Sequence, residues 1–117
     1  MANQLKIKKR KSNSKDEIEK PLKRLKRSLT IENLWIYILS VLKERDMHAY
    51  SIFKEMSKRY EIKPGLVTPY VVLYKLEEDD YIRGYDSGRR RYYKITEKGR
   101  DLLRKAKEEI KYIIKKL

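Results

Sequence analysis

The chain has 117 residues with no cysteine and one histidine, which suits a single domain and excludes disulfide-based and zinc-dependent folds. Its 31 Lys and Arg residues outnumber its 17 Asp and Glu residues, and the net charge of +14 indicates a polyanionic partner, either nucleic acid or an acidic membrane surface. No apolar run is long enough to span a membrane and the N-terminus lacks the apolar stretch of a secretory signal, so we expect a soluble intracellular protein with no membrane partner.

The first thirty residues carry more than half of the excess positive charge. They contain eleven Lys and Arg against three acids, a net +8, which leaves +6 for residues 31–117. Residues 5–11 have no helical apolar stripe, and we expect a basic arm over residues 1–29. Within this arm, a short helix is predicted after Asp16, with Pro21 in its first turn. The residues of the arm expected to contact a polyanion are Lys8, Lys9, Arg10 and Lys11.

Three amphipathic helices are predicted between residues 31 and 79. The first covers residues 31–44, with Thr30 as its N-cap and apolar residues at steps of three and four. The second runs from His48 to Tyr60. The third begins with Thr68 as N-cap and Pro69 as the first helical residue, and it ends near Asp79.

A hairpin and a long helix complete the pattern. The strands are predicted at Tyr81–Tyr85 and Arg91–Ile95, and Thr96 is the expected N-cap of a helix over residues 97–117. Three helices, a hairpin and a further helix are typical of a winged helix-turn-helix protein, which is mainly α with a small β-hairpin. In this fold the third helix enters the major groove of DNA and the hairpin, or wing, flanks it. We therefore expect a winged-helix domain at 30–96 and a separate C-terminal helix at 97–117.

Three stretches of the chain carry a family likeness: His48–Ile52 (HAYSI), residues 68–78 (TPYVVLYKLEE) and residues 90–100 (RRYYKITEKGR). They are similar to the patterns HGYEI, TLYPALKRLEE and RKYYRITEEGR, so the chain resembles the PadR-like family of winged-helix transcriptional regulators. Asp80 stands where the family has glycine, and Asp visits left-handed backbone conformations more readily than most residues. The resemblance implies a repressor-type dimer, in some members with a small-molecule effector near the dimer interface. It also extends to archaeal winged-helix proteins with a single C-terminal dimerisation helix.

The third helix is the expected reader of DNA. Val72, Leu73 and Leu76 define its buried face, so the opposite face is left for the groove. The helix carries no Arg, Asn or Gln, the side chains that most often pair with bases, so sequence reading is expected to rest on Val71, Lys75 and DNA shape. The alternative for Tyr70 is packing against the first helix with only its hydroxyl exposed. The residues of this helix expected to contact DNA are Thr68, Tyr70, Val71, Tyr74 and Lys75.

Three arginines adjoin the turn of the hairpin. Arg89, Arg90 and Arg91 are expected to enter the minor groove or clamp phosphates, and the alternative is a solvated loop. His48 has neither a cysteine nor a second histidine to work with, so it is predicted to be a structural residue at a helix start and not a catalytic one. Trp35 has the spacing of a core residue, and the alternative is an aromatic wall for an effector.

The last helix has an apolar seam with alternating steps of four and three residues, the pattern of a helix that pairs with another helix. After the wing, little of its own domain remains for this seam to cover, so it is expected to pair with a second subunit. The alternative is packing against the first helix of the same chain. The predicted dimer interface consists of Leu103, Ala106, Ile110, Ile113, Ile114 and Leu117.

Together these features predict a homodimeric transcriptional regulator, a repressor by resemblance, that binds double-stranded DNA in the cytoplasm, associated with the nucleoid. No cofactor, metal or catalytic site is expected. A second hypothesis is an architectural protein that coats DNA without sequence preference, favoured by the net charge and the few base-reading side chains. A third hypothesis is a winged helix that binds other proteins, which would show little affinity for DNA.

Overall fold

A computed structural model describes residues 19–63, 65 and 67–117 of the chain. The chain divides into two units, Met1–Glu32 and Asn33–Leu117. The predicted contacts of Lys8, Lys9, Arg10 and Lys11 lie outside the described residues. No helix within the described part is long and apolar enough to cross a membrane.

The first unit contains the short helix predicted after Asp16. Helix α1 spans Lys20–Leu29, with Pro21 in its first turn, where a missing backbone N–H costs nothing. The prediction that Thr30 caps the next helix is wrong. Its hydroxyl donates backwards to the carbonyl of Lys26 over 2.7 Å, and a short 3-10 turn over Ile31–Asn33 follows. The first helix of the second unit therefore begins three residues later than predicted.

The second unit is organised around helix α2, which spans Leu34–Leu42. This helix carries apolar residues on almost every side, and five of them are buried. It packs against three other helices, α3 over Ala49–Tyr60, α4 over Thr68–Glu78 and α5 over Glu97–Lys116. The buried residues of α2 are Leu34, Ile38, Leu39, Val41 and Leu42.

An ion pair joins the segment after α2 to α3. The two terminal guanidinium nitrogens of Arg59 donate to the carboxylate of Glu44, over 2.7 and 2.8 Å. This hydrogen bond lowers the pKa of the Glu44 carboxyl and raises that of the Arg59 guanidinium. A two-point contact of this kind fixes the orientation of both side chains.

The wing is part of a three-stranded antiparallel sheet and not of an isolated hairpin. Strand β1 spans Met47–His48, β2 spans Ile82–Ser87 and β3 spans Arg90–Ile95, in the order β1, β3, β2. The second helix was predicted to begin at His48 but begins at Ala49; His48 immediately before it has an extended backbone and pairs with Tyr92 on β3. Met47 is buried beside it, and this burial holds the two-residue strand on the sheet.

The turn after α4 is closed by the start of α5. Asp80 has a φ of +62°, as expected from its place where the resembling family has glycine. Its carbonyl accepts a hydrogen bond of 2.6 Å from the Thr96 hydroxyl, and the Thr96 amide donates to the carbonyl of Tyr81 over 3.2 Å. The same Thr96 hydroxyl accepts from the Gly99 amide, which confirms Thr96 as the N-cap of α5.

Only the first turns of α5 are anchored in the core. Gly99 and Leu103 are buried, and Leu103 retains 3% of its surface. Leu103 was predicted to lie in the dimer interface, but within the single chain it is already part of the core, because the packing of α5 against α2 covers it. The exposed apolar stripe therefore starts beyond it and consists of Ile110, Ile113, Ile114 and Leu117, with Ala106 half-buried before them.

Candidate nucleic-acid interface

Helix α4 presents the face that its sequence pattern predicted. Leu73 and Leu76 are buried against the core and Val72 is half-buried, while Val71 and Tyr74 on the other side are exposed, Tyr74 to 66%. Lys75 is also exposed. The exposed side thus combines an apolar side chain, a phenol and a cation, which can contact a thymine methyl, a base edge and a phosphate.

The start of α4 differs from the prediction by one residue. The N-cap position is held by Val67, whose side chain cannot cap, and Thr68 is the first helical residue with Pro69 buried behind it. The carbonyl of Val67 accepts the backbone hydrogen bonds that close this first turn. The Thr68 side chain is therefore exposed and does not serve as the helix cap.

Tyr70 packs against the second predicted helix, α3, and not against the first helix as its alternative interpretation had it. Its ring packs edge-on against Phe53 of α3, with the centroids 5.1 Å apart, while 55% of the residue is exposed. Such packing limits the conformations of the ring while more than half of the residue stays exposed. Tyr70 is thus held at the start of α4 in a position where its hydroxyl can donate to a phosphate.

Trp35 is half-buried on the wall of a cavity of about 320 Å³. Its indole nitrogen donates to the Asn33 side chain over 3.2 Å. The cavity lies between α2, α4 and α5, and the other residues that line it are Val72, Lys75, Leu76, Asp79, Tyr81 and Leu102. The volume falls within the range of small-molecule pockets, and Lys75 belongs both to the cavity and to the exposed face of α4.

The tip of the wing is a two-residue turn formed by Gly88 and Arg89, because Ser87 pairs with Arg90 across it. Gly88 has a φ of +66°, a conformation that favours glycine at the first position of such a turn. Arg89 thus projects from the end of the hairpin and is exposed.

The three arginines of the wing do not act as one cluster. Successive residues of a strand point to opposite faces, so Arg90 and Arg91 are directed to different sides of the sheet. One guanidinium nitrogen of Arg90 lies 3.1 Å from Nε2 of His48 on the outer face. On the inner face, Arg91 donates to Glu77 of α4 over 2.7 Å. This ion pair directs Arg91 towards α4, whereas Arg89 projects from the turn at the end of the hairpin.

The outer face of the sheet holds further cations that the sequence reasoning missed. Arg83 on β2 lies directly opposite Lys94 on β3 in the sheet register. Tyr85 likewise lies opposite Tyr92, and the centroids of the two rings are 5.9 Å apart. The Tyr85 hydroxyl donates to Asp46 over 2.7 Å, and this hydrogen bond raises the pKa of Tyr85. Alternation of basic and tyrosine residues along both strands was the signal that could have indicated this surface.

His48 connects the outer face to the start of α3. Its ring lies 5.5 Å from that of Tyr92, and its Nδ1 atom lies 3.2 Å from the Ser51 hydroxyl. These contacts fit the predicted structural role at a helix start. Through His48, Arg90 on the wing is thus connected to Ser51 in the first turn of α3.

The comparisons with known proteins agree with this geometry. The chain matches the model of the Transcriptional regulator PadR-like family over residues 38–105, more than half of its length. A PadR family transcription regulator from Clostridium difficile is 36% identical, with 69% of this chain and 90% of that one aligned and a TM-score of 0.62. A transcriptional regulator from Clostridium thermocellum is 32% identical, with 72% and 91% of the two chains aligned and a TM-score of 0.62.

A more distant likeness extends to the fold. F93 from STIV, a winged-helix DNA-binding protein, is 21% identical, with 73% of this chain and 94% of that one aligned and a TM-score of 0.63. The matched region begins within α2 and ends within α5, so it includes α4 and the whole sheet. The chain belongs to the PadR-like family and is a DNA-binding transcriptional regulator with a winged helix.

Proposed function

We propose that this regulator represses transcription by binding a two-half-site operator as a homodimer, with α4 in the major groove and the wing on the adjacent backbone or minor groove. The observation that carries the proposal is the exposed side of α4, where Val71, Tyr74 and Lys75 lie opposite a buried apolar face. Arg89 at the tip of the wing and Arg90 on its outer face supply the cations that flank such a helix on DNA.

The second subunit is inferred from the far end of α5. Ile113 retains 49% of its surface and Leu117 retains 99%, and Ile110 and Ile114 extend the same stripe. Full burial of one such side chain stabilises an assembly by roughly 1.5–3 kcal/mol, so pairing of two α5 helices across a two-fold axis is favourable. Such a dimer places two α4 helices on one face of DNA, with half-sites about one turn apart, roughly 34 Å.

Competition between duplexes tests the sequence preference. Labelled duplexes selected by the protein from a randomised library are challenged with unrelated duplex DNA at a fixed salt concentration. A sequence-specific regulator binds its selected site roughly 10³–10⁷-fold more tightly than it binds unrelated DNA. A preference near one would instead support the architectural protein, which the net charge of +14 also favours. Loss of all DNA affinity at moderate salt would support the protein-binding module.

The cavity beside Trp35 is our candidate for an effector site. Its apolar walls and its volume of about 320 Å³ suit a small aromatic compound, and Lys75 connects it to the DNA-facing side of α4. Trp35 is the single tryptophan of the chain, so its fluorescence reports on the cavity directly. We expect anilinonaphthalene sulfonate to quench this fluorescence, and Val72→Gln to weaken the quenching. Equal quenching of the variant would place the dye elsewhere.

A further inference from the structure

A single carboxylate oxygen of α4 holds both strands of the wing. Oε2 of Glu77 accepts a hydrogen bond of 2.7 Å from the guanidinium of Arg91 on β3 and one of 3.2 Å from the backbone amide of Gly84 on β2. Glu77 is half-buried, whereas its neighbour Glu78 is exposed. The contact therefore connects the helix that faces DNA with the element that flanks it.

The wing is built to receive this contact. Gly84 has no side chain, and a Cβ atom there would lie 2.6 to 2.7 Å from three atoms of the Arg91 guanidinium. The guanidinium thus lies directly over the backbone of β2. A second carboxylate, that of Asp86, is 3.5 Å away, and the ring of Tyr93 lies 5.9 Å from the guanidinium carbon. Together these neighbours orient the guanidinium of Arg91 towards Glu77.

The hydrogen bond to Glu77 raises the pKa of Arg91, in agreement with a charged pair. The carboxylate of Glu77 offsets the positive charge of this guanidinium. The attraction between Arg91 and a phosphate is therefore weak. Arg89 at the tip of the wing is in a different position, because the turn carries it away from α4. Substitution of Arg89 and substitution of Arg91 should accordingly change the salt dependence of DNA binding to different extents.

We propose that Glu77 and Arg91 are positioning residues that set the distance and angle between α4 and the wing, and thereby restrict the operator sequences that both elements can contact at once. This inference rests on the proposed function. The major groove read by a helix and the minor groove entered by a wing vary in width and spacing with sequence. If the link between α4 and the wing is rigid, only DNA whose grooves have the matching width and spacing can contact both elements at once, and the protein prefers such sequences. A loose link would let both elements contact a wider range of DNA sequences.

The test compares two variants with the wild type. Glu77→Gln and Arg91→Gln each remove one charge from the contact. Each protein selects duplexes from a library with randomised centres, and melting temperatures identify variants that fail to fold. We expect each variant to lose about tenfold in its preference for the duplex sequence that the wild-type protein selects over random DNA, which corresponds to ~1.4 kcal/mol. Full preference in both variants would overturn the proposal.

Salt dependence separates positioning from direct contact. A phosphate contact adds about 0.9 to the slope of log K against log salt, so Arg91→Gln should leave this slope unchanged while Arg89→Ala should reduce it. A reduction of the same size in Arg91→Gln would make Arg91 a phosphate ligand and overturn the positioning role.

A distance measurement tests the link without DNA. The chain has no cysteine, so Glu78→Cys with Ser87→Cys gives two unique sites for spin labels, one on α4 and one near the tip of the wing. We expect a narrow distribution of distances in the otherwise wild-type protein and a broader or displaced one after Glu77→Gln. An unchanged distribution would overturn the proposal. A wild type that selects no sequence would refute the sequence-specific regulator, while the spin labels still decide whether the link positions the wing.

Discussion

Among the described glycines, Gly99 in the first turn of α5 is the one where an added Cβ atom would meet its neighbours most closely. An alanine Cβ there would lie 2.9 Å from Cγ1 of Ile95 and 3.1 Å from the carbonyl carbon of Tyr81, and closer still to the carbonyl oxygen of Tyr81. Two of these neighbours are backbone atoms and cannot rotate away. We therefore expect Gly99→Ala to move the start of α5 away from the turn that follows α4.

The loss of stability expected for Gly99→Ala can be worked out from these distances. Carbon atoms pack best at about 3.5–4.0 Å, so the helix must shift by roughly 0.5–1 Å or more to accept the methyl group. A shift of this size also disturbs Leu103, which is buried one turn further along α5. Overpacking of this kind costs about 1–3 kcal/mol. A domain of this size loses roughly 4–8 °C of melting temperature for each kcal/mol, so the expected fall is about 5–20 °C.

Thermal unfolding followed by circular dichroism measures this fall. Arg100→Ala, an exposed substitution at the next position of the same turn, is the matched control and should melt close to the wild type. A melting temperature of Gly99→Ala equal to that of the control would refute the argument, because it would show that α5 can move away from Tyr81 without cost.

Three further outcomes are expected. Arg89→Ala should lower the slope of log K against log salt by about 0.9 in DNA titrations, and an unchanged slope would remove the tip of the wing from the interface. Ile110→Lys combined with Ile113→Lys should sediment as a folded monomer and lose binding to a two-half-site duplex, whereas a wild type that is already monomeric at micromolar concentration would contradict the dimer. Because the hydrogen bond from Arg59 lowers the pKa of Glu44, their pair stabilises the fold above the ordinary pKa of a glutamate and ceases to do so as the pH falls through the lowered value. The melting temperature of Glu44→Gln should therefore lie below that of the wild type near neutral pH and meet it in acid, and a gap that persists in acid would point to a cause other than charge.

Much of the fold could be predicted from local patterns in the sequence. The steps of three and four residues through Leu73 and Leu76 indicated which side of α4 is buried, because a helix turns by 100° per residue. Asp80 could be expected to adopt a positive φ from its residue type and its place after a helix. Strand β1 could not be expected, since a strand of two residues shows no alternation and Met47 is held by contacts distant in sequence.

The candidate site was predicted less completely, and the wing shows why. The three consecutive arginines looked like one cluster, but the register of β3 directs Arg90 and Arg91 to opposite faces. A shift by one residue would exchange these faces, and the sequence alone does not give the register. The partner of Arg91 is Glu77, fourteen residues away on a helix, and only the packing of α4 against the sheet brings the two together. Contacts of this kind depend on tertiary structure and leave no periodic signal.

The anchoring of α5 by its first turns alone makes this helix a lever. Its 20 residues extend about 30 Å at 1.5 Å per residue, while its buried residues Gly99 and Leu103 lie near one end. A tilt of about 10° at that end displaces the other by about 5 Å over such a length. In the proposed dimer, small adjustments at the turn held by Thr96 would change the separation of the two α4 helices by several ångströms. One protein could then accommodate operators whose half-sites differ slightly in spacing.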